Sequence, residues 1–253
     1  RYVALPGLAR RFAAWPAGLR RALGAIMRAP APRHWDGLAR MVPARTPPQF
    51  GDKIAKAASA IAARNEDAAY LSTVSQWPDA HQVVQGQHGS PSAFELEETL
   101  SDPVARLQLA DTQSYLPDDI LTKVDRASMA HALEVRVPLL DHRLVEFAWQ
   151  LPRADLIAAG RTKLPLRQAL ARHVPSSLFE RPKSGFAIPI SDWLRGPLRD
   201  WAEELLREDA LLESGLLQPG PIRQAWKTHL SGRQNLQNPI WAVLMYQLWG
   251  RTA

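Results

Sequence analysis

The chain has 253 residues, of which 46% are hydrophobic and 22% are charged, and its formal net charge is +6. It contains no cysteine, which excludes disulfide bonds, thiolate zinc sites and a cysteine nucleophile within these residues. No stretch approaches the ~20 continuous apolar residues of a membrane span, and no secretory leader is recognisable, so we expect a cytoplasmic protein.

Much of the positive charge lies early in the chain, at Arg10, Arg11, Arg20, Arg21, Arg28, Arg33, Arg40 and Arg45. Such a basic region could bind nucleic acid. These arginines, however, alternate with Leu, Ala and Trp at helical spacing, without the interleaved aromatic and basic residues of a nucleic-acid surface. A solvated helix face explains them more simply, and we expect neither a nucleic-acid nor a membrane partner.

Residues 1–46 are predicted to form short helices that are broken by prolines, namely Pro6, Pro16, Pro30, Pro32 and Pro43. Three elements follow: an alanine-rich helix over 51–64 with Ile54, Ala58 and Ile61 on one side, a short helix over 68–77, and a polar loop over 82–92.

After residue 96, helices are predicted over 102–114, 117–133, 141–150, 163–173, 190–207 (interrupted at Gly196-Pro197), 221–230 and 240–249. Pro103 opens the first of these helices, Asp141 is a good N-cap for the third, and Gly232 is a natural residue to follow the sixth. The last helix is apolar nearly all round, which predicts that it is buried. No strand is predicted, so the fold class of the chain as given is all-α.

A charged segment runs from Tyr115 to His142. On a helix, Asp119, Lys123 and Arg126 share one side, so this helix would present a polar stripe of mixed charge. Small residues in the same helix permit close packing elsewhere.

These charges have two interpretations. In the structural one, Asp119 with Lys123 and Glu134 with Arg136 form ion pairs that fix loops, and Asp141 is a helix cap. In the functional one, Lys123, Asp125 and Arg126 face a ligand.

A second segment, Phe179-Glu-Arg-Pro-Lys-Ser-Gly-Phe186, places Lys183 between Pro182 and Gly185. Proline restricts the backbone on one side and glycine allows a close bend on the other. A lysine on such a turn can bring a compact positive charge to a phosphate. The alternative is a solvated lysine in a surface loop.

In this order and spacing, the two segments resemble the C-terminal half of the asparagine synthetase domain, most closely over about residues 96–200. The resemblance implies the helical C-terminal part of an α/β synthetase domain of the adenine-nucleotide α-hydrolase type, which carries a pyrophosphate loop. It also implies a variable helical segment over 1–95 and a motif-bearing helical part over 96–253.

The family reaction implied by the resemblance uses ATP to adenylate aspartate, after which ammonia released from glutamine attacks the acyl-adenylate. By position, Lys183 resembles the catalytic lysine that stabilises charge as pyrophosphate leaves. Lys123, Asp125 and Arg126 match the wall of the ATP and pyrophosphate cleft, and Glu134, Arg136 and Asp141 match residues that support this cleft.

The chain also departs from the family pattern. The Ser-Gly-Gly-x-Asp-Ser loop, the Gly-Glu-Gly-x-Asp-Glu motif and the glutaminase cysteine are all absent from its residues. We therefore expect no metal ligands in this chain, ATP and Mg²⁺ bound mostly by upstream residues, N-terminal domains in cis and an inactive fragment. Dimerisation remains possible.

Two alternatives stay open. The first is a related carboxylate-adenylating enzyme, such as a β-lactam synthetase or a lasso-peptide cyclase, because the acceptor is selected largely by upstream residues. The second is a non-catalytic helical binding module, whose interface would be the basic N-terminal region.

Overall fold

The computed structural model describes residues 4–30, 32–41, 50–77, 80–86, 100–158, 160–181 and 188–252. The chain divides into two compact units: unit 1 comprises Arg1–Asp119 and Pro189–Ala253, and unit 2 comprises Ile120–Ile188. The described part is predominantly helical, which confirms the expected fold class. The expected boundary between residues 95 and 96 lies outside the described residues.

The helices in chain order are α1 (Ala4–Phe12), α2 (Ala17–Arg28), α3 (Pro32–Arg40), α4 (Phe50–Ala62), α5 (Glu66–Val74), α6 (Pro103–Gln113), α7 (Thr122–Met129), α8 (His142–Gln150), α9 (Arg153–Leu156), α10 (Leu164–Ala171), α11 (Ile190–Arg195), α12 (Arg199–Leu205), α13 (Glu208–Glu213), α14 (Pro219–Leu230) and α15 (Gln237–Thr252). A short antiparallel hairpin joins β1 (Ile157–Ala158) to β2 (Arg161–Thr162). This hairpin was not predicted, because two-residue strands leave no alternating pattern to detect.

Several helix ends lie where local chemistry predicts them. The Asp102 side chain accepts a hydrogen bond from the Val104 backbone at the start of α6, and Asp141 does the same for Arg143 at the start of α8. Gly232 follows α14 with a φ of +68°, the left-handed conformation that favours glycine. These predictions are confirmed.

One proline prediction is wrong. Pro6 lies within the first turn of α1 and does not break it. A proline is tolerated there because the first backbone N–H groups of a helix have no partner inside the helix.

The helix predicted over residues 117–133 differs from the observed helix at both ends. It begins earlier, as a π-helix over Tyr115–Leu121, and it ends earlier, at Met129. The end is a Schellman turn, in which Ala132 and Leu133 donate backbone hydrogen bonds to Met129 and Ser128. Ala132 occupies the left-handed position of this turn with a φ of 54°. An alanine at this position gives no sequence signal for a helix end.

Unit 1 contains an extended hydrophobic core built by α11 to α15. Its fully buried side chains include Leu194, Leu205, Leu206, Leu211, Ile222, Trp226, Ile240 and Leu244. Backbone hydrogen bonds join residues 83–85 to residues 216–218, which ties the segment after α5 to this core.

The remaining helices of unit 1 pack more thinly. Buried alanines of α1, α4 and α5 form a second, small apolar cluster. Gly24 of α2 lies so close to α4 that an added Cβ atom would stand 2.9 Å from the Ala58 carbonyl oxygen. Buried Tyr70 of α5 donates a hydrogen bond to buried Asp111 of α6.

The last helix is only partly buried. Ile240, Val243 and Leu244 of α15 are buried, whereas Trp249 is 64% exposed. The prediction of a helix buried all round is therefore wrong, because its apolar composition does not reveal how many sides its neighbours cover.

Unit 2 has no hydrophobic core among its described residues. None of their side chains is buried, although helices α7 to α10 are well formed. Its described large apolar side chains are either half-buried or exposed. The exposed ones are Met129, Leu133, Val135, Val137, Leu139, Leu140, Leu144, Phe147, Trp149, Leu166, Leu170, Leu178 and Ile188. Apolar burial is the dominant stabilising term for a domain, and the described residues of unit 2 do not supply it.

Within the described parts of the chain, no helix combines the length and the hydropathy that crossing a membrane requires.

The core of unit 1 contains one titratable side chain that should make its stability depend on pH. His229 is fully buried, its Nδ1 atom accepts a hydrogen bond from the Leu236 backbone at 3.1 Å, and its Nε2 atom has no hydrogen-bond partner. Burial, reinforced by the Arg195 guanidinium, lowers the pKa of His229 to about 4.

We expect acid to destabilise unit 1 through His229. Its pKa is lower in the folded than in the unfolded state, so the unfolded chain binds the proton first as pH falls. The stability present above about pH 6.5 should decrease towards pH 4 by up to about 3 kcal/mol. Urea unfolding at a series of pH values measures this loss.

His229→Leu should flatten this pH dependence, and substitution of an exposed histidine, His81→Asn, should preserve it. An unchanged pH slope in His229→Leu would contradict the assignment.

Candidate functional site

Lys183, the lysine expected to be catalytic, belongs to residues 182–187, which lie outside the described residues. The structure does describe the residues that lead into this segment. They belong to unit 2, as do the other six predicted site residues.

Glu180 is fixed by two arginines from different elements. The Arg167 side chain of α10 contacts the Glu180 carboxylate at 2.6 Å, and Arg161 of β2 donates a hydrogen bond to the same oxygen. Arg167 also donates to the Thr162 carbonyl oxygen. The hydrogen bond from Arg167, assisted by Arg161, holds the pKa of Glu180 below its ordinary value. Glu180 therefore ties the residues just before the Lys183 segment to the hairpin and α10.

Helix α7 carries Lys123, Asp125 and Arg126, and all three are exposed. Arg126 pairs with the adjacent Asp125 at 3.1 Å, and their side chains are 81% and 55% exposed. A neighbouring exposed pair of this kind contributes little to stability. The polar stripe predicted for this helix therefore lies on the surface of the described structure.

Glu134 and Arg136 form an ion pair in the extended segment between α7 and α8. Both side chains are more than two-thirds exposed. The predicted pairing of these two residues is observed, and it leaves the Glu134 carboxylate engaged by a cation.

Asp141 has two structural contacts at once. Its carboxylate caps α8 by accepting a hydrogen bond from the Arg143 backbone at 3.0 Å, and it pairs with the Arg143 guanidinium at 2.8 Å. The side-chain bond from Arg143, followed by the backbone bond, lowers the pKa of Asp141. Asp141 thus fixes the start of a helix rather than offering a free base.

These contacts limit what the described residues can do chemically. The carboxylates of Asp125, Glu134, Asp141 and Glu180 each contact an arginine, and none is buried. No group of three His, Asp or Glu side chains that could hold a metal ion occurs in the described ranges. The arrangement can place positive charge beside an anionic ligand. Such a ligand would also need contacts from a second surface.

Two open clefts lie in unit 1, with volumes of about 520 and 480 Å³. Gln85, Gln218 and Gln224 are among their lining residues, which include no charged side chain and none of the predicted site residues. These clefts therefore contribute nothing to the charged site.

The contacts of Glu180 with Arg161 and Arg167 were not predicted. Glu180 lies inside the segment Phe179–Phe186, but its sequence position gives no sign of these partners. Its partners lie 19 and 13 positions earlier, and they come close only because the unpredicted hairpin turns the chain back.

The capping contact of Asp141 generates a prediction. Asp141→Ala should speed the hydrogen exchange of the α8 backbone amides, because the first N–H groups of the helix lose their acceptor. Asp141→Asn should retain most of the protection, since an asparagine side chain also caps helices. Mass spectrometry of α8 peptides measures this exchange.

Two results would contradict this account of Asp141. One is equal exchange in the unaltered protein, Asp141→Ala and Asp141→Asn. The other is equal loss of protection in Asp141→Asn and Asp141→Ala, which would assign the effect to the charge of Asp141. The amides of α14, in unit 1, serve as an internal reference.

Comparison with known proteins relates the sequence of this chain to a family. The family model described as asparagine synthase matches residues 7–251. A putative glutamine-hydrolysing asparagine synthetase of Mycobacterium tuberculosis (strain H37Rv) is 37% identical over 150 residues, which are 58% of this chain and 22% of that protein. Asparagine synthetase [glutamine-hydrolyzing] 1 of Bacillus subtilis (strain 168) is 30% identical over 146 residues, which are 58% of this chain and 23% of the relative. The human asparagine synthetase [glutamine-hydrolyzing] is 27% identical over 172 residues, which are 61% of this chain and 28% of that protein.

No solved structure matches the chain significantly. The aligned part of the chain spans about a quarter of the length of these relatives. The family model, in contrast, extends over nearly all of the 253 residues, including both units. This chain belongs to the asparagine synthase family.

Proposed function

We propose that this chain is the helical C-terminal part of an ATP-dependent, glutamine-dependent ligase that converts aspartate to asparagine through an acyl-adenylate. The proposal rests on family membership and on the names of the relatives, which are glutamine-hydrolysing asparagine synthetases. The single observation that carries it is that unit 2 combines the charged family segments with an uncovered apolar surface.

The uncovered apolar surface of unit 2 indicates a missing neighbour. A segment of 69 residues with ordered helices, but with no buried side chain among those described, needs a neighbour to exclude water from it. An α/β domain buries the apolar sides of its helices against a sheet. We infer that residues upstream of this chain supply that sheet in cis, together with the glutaminase domain.

The positive charge of the family segments suits the adenylation step. Adenylation gathers negative charge on the departing pyrophosphate, and preorganised positive groups stabilise such charge. Lys183 is assigned this role, and the ion pairs of Glu180 fix the backbone that leads to it. Lys123, Asp125 and Arg126 would form the wall of the cleft once the sheet is in place, with Glu134, Arg136 and Asp141 supporting it.

ATP and Mg²⁺ require more than these residues provide. The described residues contain no acidic cluster that fits a metal ion, so no step is assigned to a metal on this chain. Its own contribution is to position positive charge and to cover the nucleotide-binding surface. Aspartate is the proposed acceptor because the relatives are named asparagine synthetases, and asparagine is the side-chain amide of aspartate.

Lys183 provides the main test. In the full-length enzyme, Lys183→Ala should lower aspartate-dependent pyrophosphate release by roughly a hundredfold to a thousandfold, as for loss of one preorganised donor. Lys183→Arg should restore little, since a planar guanidinium does not replace a compact ammonium. Thermal unfolding and glutaminase activity should stay nearly unchanged.

Lys227→Ala is the matched control, because Lys227 is an exposed lysine on α14 of unit 1. Near-normal turnover in Lys183→Ala, or a loss of activity that merely follows a loss of stability, would make Lys183 a solvated or structural residue.

The uncovered apolar surface provides a second test. Alone, this chain should release no pyrophosphate from ATP and aspartate, should bind a hydrophobic dye, and should show fast hydrogen exchange in α7 and α8 relative to α14. In the full-length protein the same α7 and α8 peptides should gain protection. Equal protection in the two proteins would refute the idea that upstream residues cover unit 2.

A further inference from the structure

The two open clefts of unit 1 adjoin, because Gly220 and Pro221 at the start of α14 line both of them. We call the cleft of about 480 Å³ the amide cleft, after three glutamines in its lining, Gln82, Gln224 and Gln234. They come from a 3₁₀ helix after α5, from α14, and from the segment between α14 and α15. Among the described residues, no charged side chain lines this cleft. It therefore offers hydrogen bonds without a charge that would select an ionic ligand.

The carboxamides of these three glutamines make no hydrogen bond within the described part of the chain. Two other glutamines of unit 1 are tied to backbone atoms instead. Gln237 accepts a hydrogen bond from the Ser191 N–H, and Gln247 donates to the carbonyl oxygens of Leu205 and Ala210. A carboxamide presents two N–H donors and one carbonyl acceptor. Three of them around one cleft can therefore donate to and accept from the same ligand.

The amide cleft also has a tryptophan in its lining, and the ring of this tryptophan is held in place. Half-buried Trp77 packs against the hydrophobic core of unit 1, and its Nε1 atom donates a hydrogen bond to the Pro239 carbonyl oxygen at 3.0 Å. Leu236, which also lines the cleft, donates its backbone N–H to buried His229 at 3.1 Å. These parts of the lining are fixed before a ligand arrives, so binding costs little ordering of the protein.

From this lining we propose that the amide cleft binds a neutral saccharide of one or two sugar rings. Each sugar hydroxyl both donates and accepts hydrogen bonds, which matches the carboxamides of Gln82, Gln224 and Gln234. The C–H groups of a sugar ring can pack against the apolar surface of Trp77 and Leu236. A volume of about 480 Å³ lies within the usual range of small-ligand sites. The proposal is independent of the ligase activity, whose predicted residues all lie in unit 2.

Other classes of ligand satisfy less of this lining. A nucleotide needs cations or free backbone N–H groups for its phosphates. The described lining has no cation, and Pro219 and Pro221 remove two N–H groups from the start of α14. A proline-rich peptide is bound by grooves with several aromatic rings. The described lining has the ring of Trp77 alone, and its N–H group is already bonded to Pro239. A neutral saccharide uses both the free carboxamides and the ring surface.

Titration of the 253-residue chain with neutral disaccharides, followed by saturation-transfer NMR, tests the proposal. The panel is maltose, cellobiose, lactose and diacetylchitobiose. We expect at least one of them to bind with a dissociation constant of about 1 mM or lower, both to this chain and to the full-length protein. The affinity should stay the same between about 50 mM and about 500 mM sodium chloride, because neither the sugar nor the described lining is charged.

Gly220→Leu is the sharpest variant, because Gly220 lies where the two clefts meet. A Cβ atom at Gly220 would meet nothing within 4 Å, so the leucine enters open space without a clash and should abolish binding. Gly18→Leu is the matched control and should leave binding unchanged. Gly18 is likewise the exposed second residue of a helix with open space around its Cβ position. Gln224→Ala should weaken binding about fivefold to tenfold, as for the loss of one hydrogen bond. Circular dichroism should show that all three variants keep their helices.

Several results would overturn the proposal. They are the absence of binding by all four disaccharides, unchanged affinity in Gly220→Leu, and an equal loss of binding in Gly18→Leu and Gly220→Leu. Binding of the neutral peptide acetyl-Pro-Pro-Ala-Pro-Pro-amide without any of the sugars would assign the cleft to a peptide instead. Binding by this chain but not by the full-length protein would also overturn the proposal and would assign the cleft to an upstream segment.

Discussion

Apolar burial is distributed unevenly in this chain, and most of its other properties depend on that imbalance. Every buried side chain described lies in unit 1, where Trp226 and its neighbours form a dry core. Unit 2 has comparable helices but leaves its leucines and aromatic residues in contact with water. Local hydrogen bonds and caps can shape helices, but they supply too little free energy to hold a domain together. Unit 2 therefore has a defined local structure without a buried core among its described residues.

The same contrast explains how much of the fold the sequence predicted. The helix ends at Pro103, Asp141 and Gly232 were predicted correctly because a helix end is a local event, determined by one side chain and the next three residues. The exposure of Trp249 and the inward position of Arg20 were not found. Each depends on contacts with residues distant in sequence, and a helical pattern does not reveal them.

The candidate site was predictable to a similar extent. The charged segments identified the family, and the pairing of Glu134 with Arg136 followed from their spacing. The chemical roles assigned to these segments stay predictions. The fixing of Glu180 by Arg161 and Arg167 required the hairpin that brings them together. The sequence thus indicated the family, whereas the contacts that hold its charged segments in place required three-dimensional structure.

The charges that accompany the uncovered apolar surface of unit 2 bear on what can cover it. In unit 2 the exposed apolar residues are accompanied by carboxylates as well as cations, and Asp125, Glu134, Asp141 and Glu180 each contact an arginine. A surface whose charges are already balanced suits burial against protein, because desolvating an unpaired charge is costly.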